Sequence, residues 1–430
     1  MRGLGCGKTS ECHVDEPSPK RQLQPSLKSA PEPVAEFVSN AKPKPGVRRS
    51  ASAGAGSPVV NPVLSGSSAA CRLDSAPQVF DAFRWTKNSD KPLVQFLTEA
   101  LGSLCDELCL DRDKLIQFVM FVESSMPGNR YHNAVHILDA LQLMHLFMFP
   151  GGPLEGPCQD NVVKLAAYLG TLCHDLKHPG LTNQFLHKSK NALISKYGDR
   201  STLESMHLRY AKRALRDPQM DFMAALDAAT RDRVVHLMEK MIMATDMAAH
   251  EDFVKAAPPQ DEEELLVFKL QIAVKCADLS HCIRKFRVHQ KFVEGLKCEF
   301  ESQGQLERKQ GIHHSAAYEE ALGSSTGLAV SQSLFLEEVL TPLLKALARC
   351  AGESPVVEEL LQALERNCAS WKKLCSVSSD GSRVTYTDSR VKVHKLALET
   401  ASSSVLSEEE SRVVSDAMRH MHDMVQYVET

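Results

Sequence analysis

From Phe80 to Trp371 the apolar residues fall three and four positions apart, in segment after segment. "KPLVQFLTEALGSLCDELCL", "DKLIQFVMFVESSM", "HILDALQLMHLFMF", "RDRVVHLMEKMIMAT", "EELLVFKLQIAVKCADL", "HQKFVEGLKCEFESQG" and "SQSLFLEEVLTPLLKALARC" each carry this spacing. It lays one apolar stripe along a helix. Short alternating stretches bounded by turns are almost absent, so a sheet has no support. The body is expected to be all-α, without internal repeats.

The ends read differently. Residues 1–75 are rich in Ser, Pro, Ala and Lys and hold one aromatic, Phe37. Such a segment cannot bury enough apolar surface to offset its ordering entropy, so a disordered N-terminal tail is expected. It is too short and polar for an effector-binding domain. Arg48 and Arg49 before Ser50 and Ser52 fit a basic-directed kinase acting on the tail, although a solvated basic patch is the commoner fate of so short a motif. Past Trp371 the helical pattern lapses, and residues 376–430 read as a linker and a C-terminal helix. That helix starts at Ser407, which forms a capping box with Glu410. Its stripe of Val414, Met418, Met421, Val425 and Val428 would dock on the body or on a second copy, as in a homodimer.

The 430 residues are 43% hydrophobic and 24% charged, which suits one large globular domain or two ordinary ones. A net charge of -4 gives no reason to expect nucleic acid as a partner. No apolar run reaches the length of a membrane span. The opening "MRGLGCGKTSEC" shows neither a secretory signal nor a myristoylation glycine at position 2. Thirteen cysteines lack zinc-finger or redox spacing, which points to reduced thiols and a cytoplasmic setting.

The chemistry concentrates in "GTLCHDLKHPGLTNQFL", where His174 and Asp175 are adjacent and His178 follows. Upstream, "YHNAVHILDALQ" puts His132 and His136 four apart, on one face of an expected helix; downstream, "VKCADLSH" supplies Asp278. Histidines and carboxylates together offer the nitrogen and oxygen ligands that zinc or another divalent ion takes. A carboxylate such as Asp175 can bridge to a second, harder ion such as magnesium. Two ions sharing a water lower its pKa and stabilise an in-line displacement at phosphorus. Any one of these histidines alone is more often a satisfied core or surface residue, and His145 and His187 are read that way.

The joint pattern resembles the class I 3',5'-cyclic nucleotide phosphodiesterases, metal-dependent members of the HD superfamily. "NRYHNAVHILDALQ", the His174–Phe185 run, "STLESMHL", "MATDMAAH", "KCADLSH", "ESQGQLER" and "VSQSLFL" stand in that family's order. The likeness covers residues 78–375 and implies a compact multi-helix catalytic domain of the HD type. It implies two divalent ions, zinc at the first site and magnesium or manganese at the second. His136, His174, Asp175 and Asp278 would be ligands, with Asp175 bridging. His132 would be the general acid that protonates O3' while a hydroxide shared by the metals attacks phosphorus. Glu204 would orient the imidazole, and His178, His207, Thr245 and Asp246 would bond to metal-bound waters or ligands. Gln332 would read the purine, Phe335 and Leu296 would enclose it, and Met247 would line the same pocket.

Departures leave the base preference open between cyclic AMP and cyclic GMP, cyclic AMP marginally favoured. Met206 stands where a histidine is common. His281 falls where cyclic-AMP-selective members keep an asparagine facing the base, and His289 where many have a tyrosine. "GIHHSAAYEEALGSS" also departs from the family's loop. The implied function is hydrolysis of a cyclic nucleotide to its 5'-monophosphate. The alternatives are a catalytically impaired cyclic nucleotide receptor or scaffold, and a general HD phosphohydrolase; the latter needs neither "YHN" nor "SQSLF".

Overall fold

The computed structural model describes residues 72–312 and 325–375, and no strand occurs among them. The kinase motif, residues 1–71 of the expected tail, the C-terminal helix and most of "GIHHSAAYEEALGSS" lie outside the described residues. Ten helices of eleven residues or more carry the fold: α1 (Arg112–Ser125), α2 (Ala134–Met148), α3 (Asn161–Cys173), α4 (Thr202–Ala214), α5 (Ala228–Ala244), α6 (Glu262–Asp278), α7 (Phe286–Gln310), α8 (Ser325–Phe335), α9 (Thr341–Ala351) and α10 (Pro355–Cys375).

Their starts follow ordinary capping chemistry. Asp227 caps α5 by accepting from Thr230 N, and Asp261 caps α6 by accepting from Glu263 N and Glu264 N. Three glutamates in the first turn of α6 suit the positive end of its dipole. One run expected to be continuous is not. "SQSLFLEEVLTPLLKALARC" passes from α8 through a π-helical turn, Leu336–Leu340, before α9 resumes. Pro342 explains the interruption, because it has no N–H and its ring crowds the carbonyl four residues earlier. Across that turn the Leu336 carbonyl accepts both the Thr341 backbone N–H and, at 2.8 Å, the Thr341 hydroxyl.

Helices α2, α3, α5 and α6 pack on one another in a closed group. Gly170 of α3 lets α5 come close, since a Cβ there would sit 2.8 Å from Met241 Sδ. A second layer, with α8 against α10 and α9 against α6, covers the group. Phe185, Leu186, Leu203 and Met206 form a separate small core, so Met206 serves packing.

The body begins slightly before the expected boundary. Leu73 and Ser75 are buried, and Gln142 Nε2 donates to both their carbonyls, at 3.1 and 2.8 Å. Arg284, fully buried, bonds Asp139 Oδ1 at 2.9 Å and reaches Pro77 O at 3.2 Å. Together these tie the lead-in to the turn that follows α6.

Candidate metal centre and active site

Chain direction sets the site. The first turn of α2 and the last turns of α3, α5 and α6 meet at one end of the central group. Asn133 caps α2 by accepting from Val135 N and His136 N, which fixes His136 in the first turn. His174 is the C-cap of α3, Thr245 the C-cap of α5, and Asp278 the last residue of α6. Three helix C-termini carry partial negative charge there, so the place favours a cation before any side chain is counted.

The side chains add to that. His136 Nε2 lies 3.1 Å from His174 Nε2, 3.0 Å from Asp278 Oδ1 and 3.2 Å from Asp175 Oδ2. His174 Nε2 lies 3.2 Å from Asp278 Oδ1 and 3.5 Å from Asp175 Oδ2. The Nδ1–H of His174 donates to Thr171 O at 2.8 Å, which leaves Nε2 with a lone pair aimed at carboxylate oxygens. Lone pairs facing one another at that distance need positive charge between them. Asp175 Oδ2 is buried with no hydrogen-bond partner, so an acceptor is left over. These four residues fit a divalent cation.

A second group extends from Asp175. The Nδ1–H of His207 donates to Leu176 O at 2.7 Å, so its Nε2 faces Asp175 Oδ1 as a lone pair at 4.0 Å. Asp175, His178 and His207 place donor atoms within 4.8 Å of one another. His178 differs: its Nδ1 accepts from Gly180 N at 3.0 Å, so the proton sits on Nε2 and suits donation rather than ligation.

Burial disfavours charge on His136, but Asp175 and Asp278 more than offset this and raise its pKa to about 10. The protein alone thus balances its two carboxylates with a proton. Burial likewise opposes ionisation of Asp278, yet His174 and His136 hold its carboxyl well below the ordinary range. His207 goes the other way, lowered to about 4 chiefly by burial.

His132 does not share a helix face with His136, contrary to the sequence reading. Asn133 is the cap and α2 starts at Ala134, so His132 precedes the helix. The two rings still meet, with centroids 6.1 Å apart. Tyr131 touches both, at 4.8 Å from each. The carboxylate on His132 is Glu299, which accepts from Nδ1–H at 2.6 Å. Glu204, expected to orient that imidazole, instead accepts from Asn183 Nδ2 at 3.0 Å and is pushed up to about 8, by burial and then by Asp246.

Sequence reasoning missed Glu299, although a signal was present. Val288, Phe292, Val293, Leu296 and Phe300 mark the buried stripe of α7, and Glu299 and Gln303 fall on it. A carboxylate in an apolar register asks for a partner.

Among the remaining expected residues, Thr245 and Asp246 are buried beside this end. Thr245 donates to Ile242 O at 2.7 Å, and Asp246 takes the Ser201 hydroxyl at 2.6 Å. Met247 Sδ turns to the buried Lys275 ammonium at 3.4 Å. Gln332 and Phe335 are buried one turn apart on α8, and Gln332 Oε1 has no hydrogen-bond partner. Leu296 is buried on α7, one turn beyond Phe292, whose ring lies 5.4 Å from that of His281. His145 is a satisfied core residue, 2.6 Å from the Tyr168 hydroxyl, and His187 is exposed.

Comparison with known proteins agrees with this geometry. The sequence profile of the 3'5'-cyclic nucleotide phosphodiesterase family matches residues 131–364. A Caenorhabditis elegans protein described as probable 3',5'-cyclic-AMP phosphodiesterase pde-4 is 28% identical over 311 residues, 69% of this chain and 45% of that one. The human dual specificity calcium/calmodulin-dependent 3',5'-cyclic nucleotide phosphodiesterase 1B is 26% identical over 307 residues, 68% of this chain and 56% of that one. The chain thus spans about half the length of the curated relatives it matches. The crystal structure of the phosphodiesterase domain of the RhoPDE fusion protein from Salpingoeca rosetta superposes with a TM-score of 0.63 at 24% identity, covering 73% of this chain and 97% of that one.

Proposed function

The chain belongs to the 3'5'-cyclic nucleotide phosphodiesterase family, and from that premise we propose that it hydrolyses the 3',5'-cyclic phosphate of cyclic AMP, cyclic GMP or both to the 5'-monophosphate. The observation that carries this reading is the convergence of His136, His174, Asp175 and Asp278 beside a His132 paired to Glu299. Those four residues would hold the first divalent ion, zinc, and Asp175 would bridge to a second, magnesium or manganese. Bound there, the ions supply positive charge and a water of lowered pKa.

The chain's own groups do the rest. The oxygen of a water bonds to phosphorus as the P–O3' bond breaks; the water gives up one proton to solvent, and O3' leaves needing one. His132 donates it from Nε2, while Glu299 holds Nδ1–H and stabilises the charged imidazole. His178 and His207, with Asp246 and Thr245 behind them, orient water and ligands. Burial, then Asp246, raises the Glu204 carboxyl to about 8 in the protein without bound ions. Gln332 reads the purine edge, and Phe335 and Leu296 enclose the base.

None of the ten cysteines among the described residues is in a disulfide, and eight are buried, which supports a cytoplasmic setting. No helix among the described residues is long and apolar enough to cross a membrane.

The test is hydrolysis of both nucleotides, with and without chelator, by the wild type and His132→Ala. Turnover should fall roughly a hundredfold or more in the variant while metal content stays near normal. Full activity in His132→Ala would remove the assigned acid. Binding of either nucleotide to metal-loaded protein without product would favour a receptor instead, although such a protein has no use for the His132–Glu299 pair.

A further inference from the structure

A groove between α4 and α5 lies outside the metal centre. Ser205, Leu208, Arg209, Lys212, Arg213 and Arg216 recur at three- and four-residue spacing, so they follow one face of α4 and its exit. Glu239 and Met243, one turn apart on α5, form the facing wall. The cavity between them has a volume of about 540 Å³. Its floor is apolar, with Leu208 buried and Met243 half-buried. Its rim is cationic. Four basic side chains line it against one carboxylate, Glu239, which pairs with Lys212. Arg209 donates to Lys196 O at 3.1 Å, and its guanidinium lies 5.7 Å from the Tyr197 ring. Arg213 and Arg216 are exposed where α4 ends.

Lys212 and Arg213 fall in the last turn of α4, where cations suit the negative end of the helix dipole. That accounts for two of the four cations, and not for Arg209, Arg216 or the apolar floor. An apolar floor under a rim of one charge fits a ligand of the reverse pattern, apolar side chains beside carboxylates. This chain supplies one. Outside the described residues, Glu408, Glu409 and Glu410 are the one run of three carboxylates, and Val405 and Leu406 stand just before them. Residues 1–71 hold more Lys and Arg than Asp and Glu, so the same rim would repel that tail.

We propose that the α4–α5 groove is the docking site for residues 405–410 of its own chain, with Val405 and Leu406 on Leu208 and Met243 and the three glutamates on the cationic rim. The inference stands apart from the catalytic reading, since it uses no metal ligand and no substrate contact. Reach is no obstacle. The thirty steps from Cys375 to Val405 span up to about 100 Å. A body of about 300 residues has a radius of gyration of only about 19 Å. Exposed ion pairs are individually weak and screened by salt, so the free segment would bind loosely. The tether makes up the difference. At an effective concentration on the order of 1 mM, a groove with a Kd of about 0.1 mM is about nine-tenths occupied.

The experiment places the photo-cross-linker p-benzoylphenylalanine at Leu406 of the full chain and maps its adducts by mass spectrometry. The adducts should fall on α4 and α5, Met243 chief among them. Arg213→Glu with Arg216→Glu should cut their yield about threefold or more, and adding Glu409→Arg with Glu410→Arg should restore it. Raising the salt to about 1 M should cut the wild-type yield in the same way. Arginines that merely supported α4 would show no rescue by exchanged charge. Should the arginine variant fail to fold, Glu408→Gln, Glu409→Gln and Glu410→Gln together leave the described body untouched and should lower the yield alone. Adducts scattered over other faces, or a yield indifferent to these charges, would overturn the proposal. So would adducts joining isotopically heavy to light chains in a mixed sample, which would give the groove to a second copy. Loss of the adducts to about 1 mM inorganic phosphate at constant ionic strength would make it a phosphate site instead, and would overturn it too.

Discussion

One carboxylate holds His132 at two points and the preceding Tyr131 at a third. Glu299 Oε1 accepts from Tyr131 N at 2.6 Å and His132 N at 3.0 Å, while Oε2 takes the ring Nδ1–H at 2.6 Å. Backbone and imidazole are thus fixed by the same side chain. Burial opposes ionisation of Glu299, but His132 and these N–H groups hold its carboxyl below the ordinary range. Glu299→Gln can keep the two backbone bonds through its carbonyl, which turns its amide toward Nδ1. That forces the ring proton onto Nε2 and withdraws the charge that stabilised the imidazolium. Turnover should fall roughly a hundredfold or more, with metal content unchanged. A near-normal rate would mean that the pair is structural.

Glu299 reaches that position because α7 lies against the backbone before α2. Gly295, one turn earlier, allows the approach: a Cβ there would stand 2.6 Å from Arg130 O. Gly295→Ala should cost about 1–3 kcal/mol in urea unfolding and pull Glu299 off His132, so turnover drops with stability. Gly304 is the control on the same helix, where a Cβ would meet only Arg308 Nη1 at 3.7 Å. Alanine there should be neutral or stabilising by up to ~1 kcal/mol. Equal effects at the two glycines would refute the close-approach argument. The stripe of α7 was legible in the sequence because a long helix repeats its apolar period several times. The Gly295 contact was not, since it depends on what crosses the helix. The π turn before Pro342 was hidden for a related reason: one extra residue in a turn barely disturbs three- and four-residue spacing. His174, Asp175 and Asp278 could be read from their motifs, whereas the bond from Trp371 to His289 joins two segments far apart in the chain with no local signature.

At the scale of the molecule, the four ligands sit on the ends of three central helices, so a bound cation is also a cross-link. His136 belongs to α2, His174 caps the end of α3 and Asp278 ends α6. A ligand that binds the native state at a hundred times its Kd adds about 2.7 kcal/mol of stability. At about 2.1 cal/mol/K of unfolding entropy per residue, a body of about 300 residues would shift in Tm by about 4 °C. Chelation at pH 8 should therefore lower Tm by that amount, and restored zinc or magnesium should recover it. The shift should shrink as pH falls. With His136 raised to about 10 in the protein alone, the site carries a proton throughout the neutral range, and a cation must displace it. Each unit of pH lost then weakens apparent affinity by up to about tenfold per displaced proton. At pH 6 the chelator effect should be clearly smaller than at pH 8, and in Asp278→Asn, which keeps the shape but loses a charge, smaller still at both. A Tm indifferent to complete metal removal at either pH would mean that the ligands are pre-organised by the helix packing alone, and the cation would then contribute chemistry without contributing to the fold.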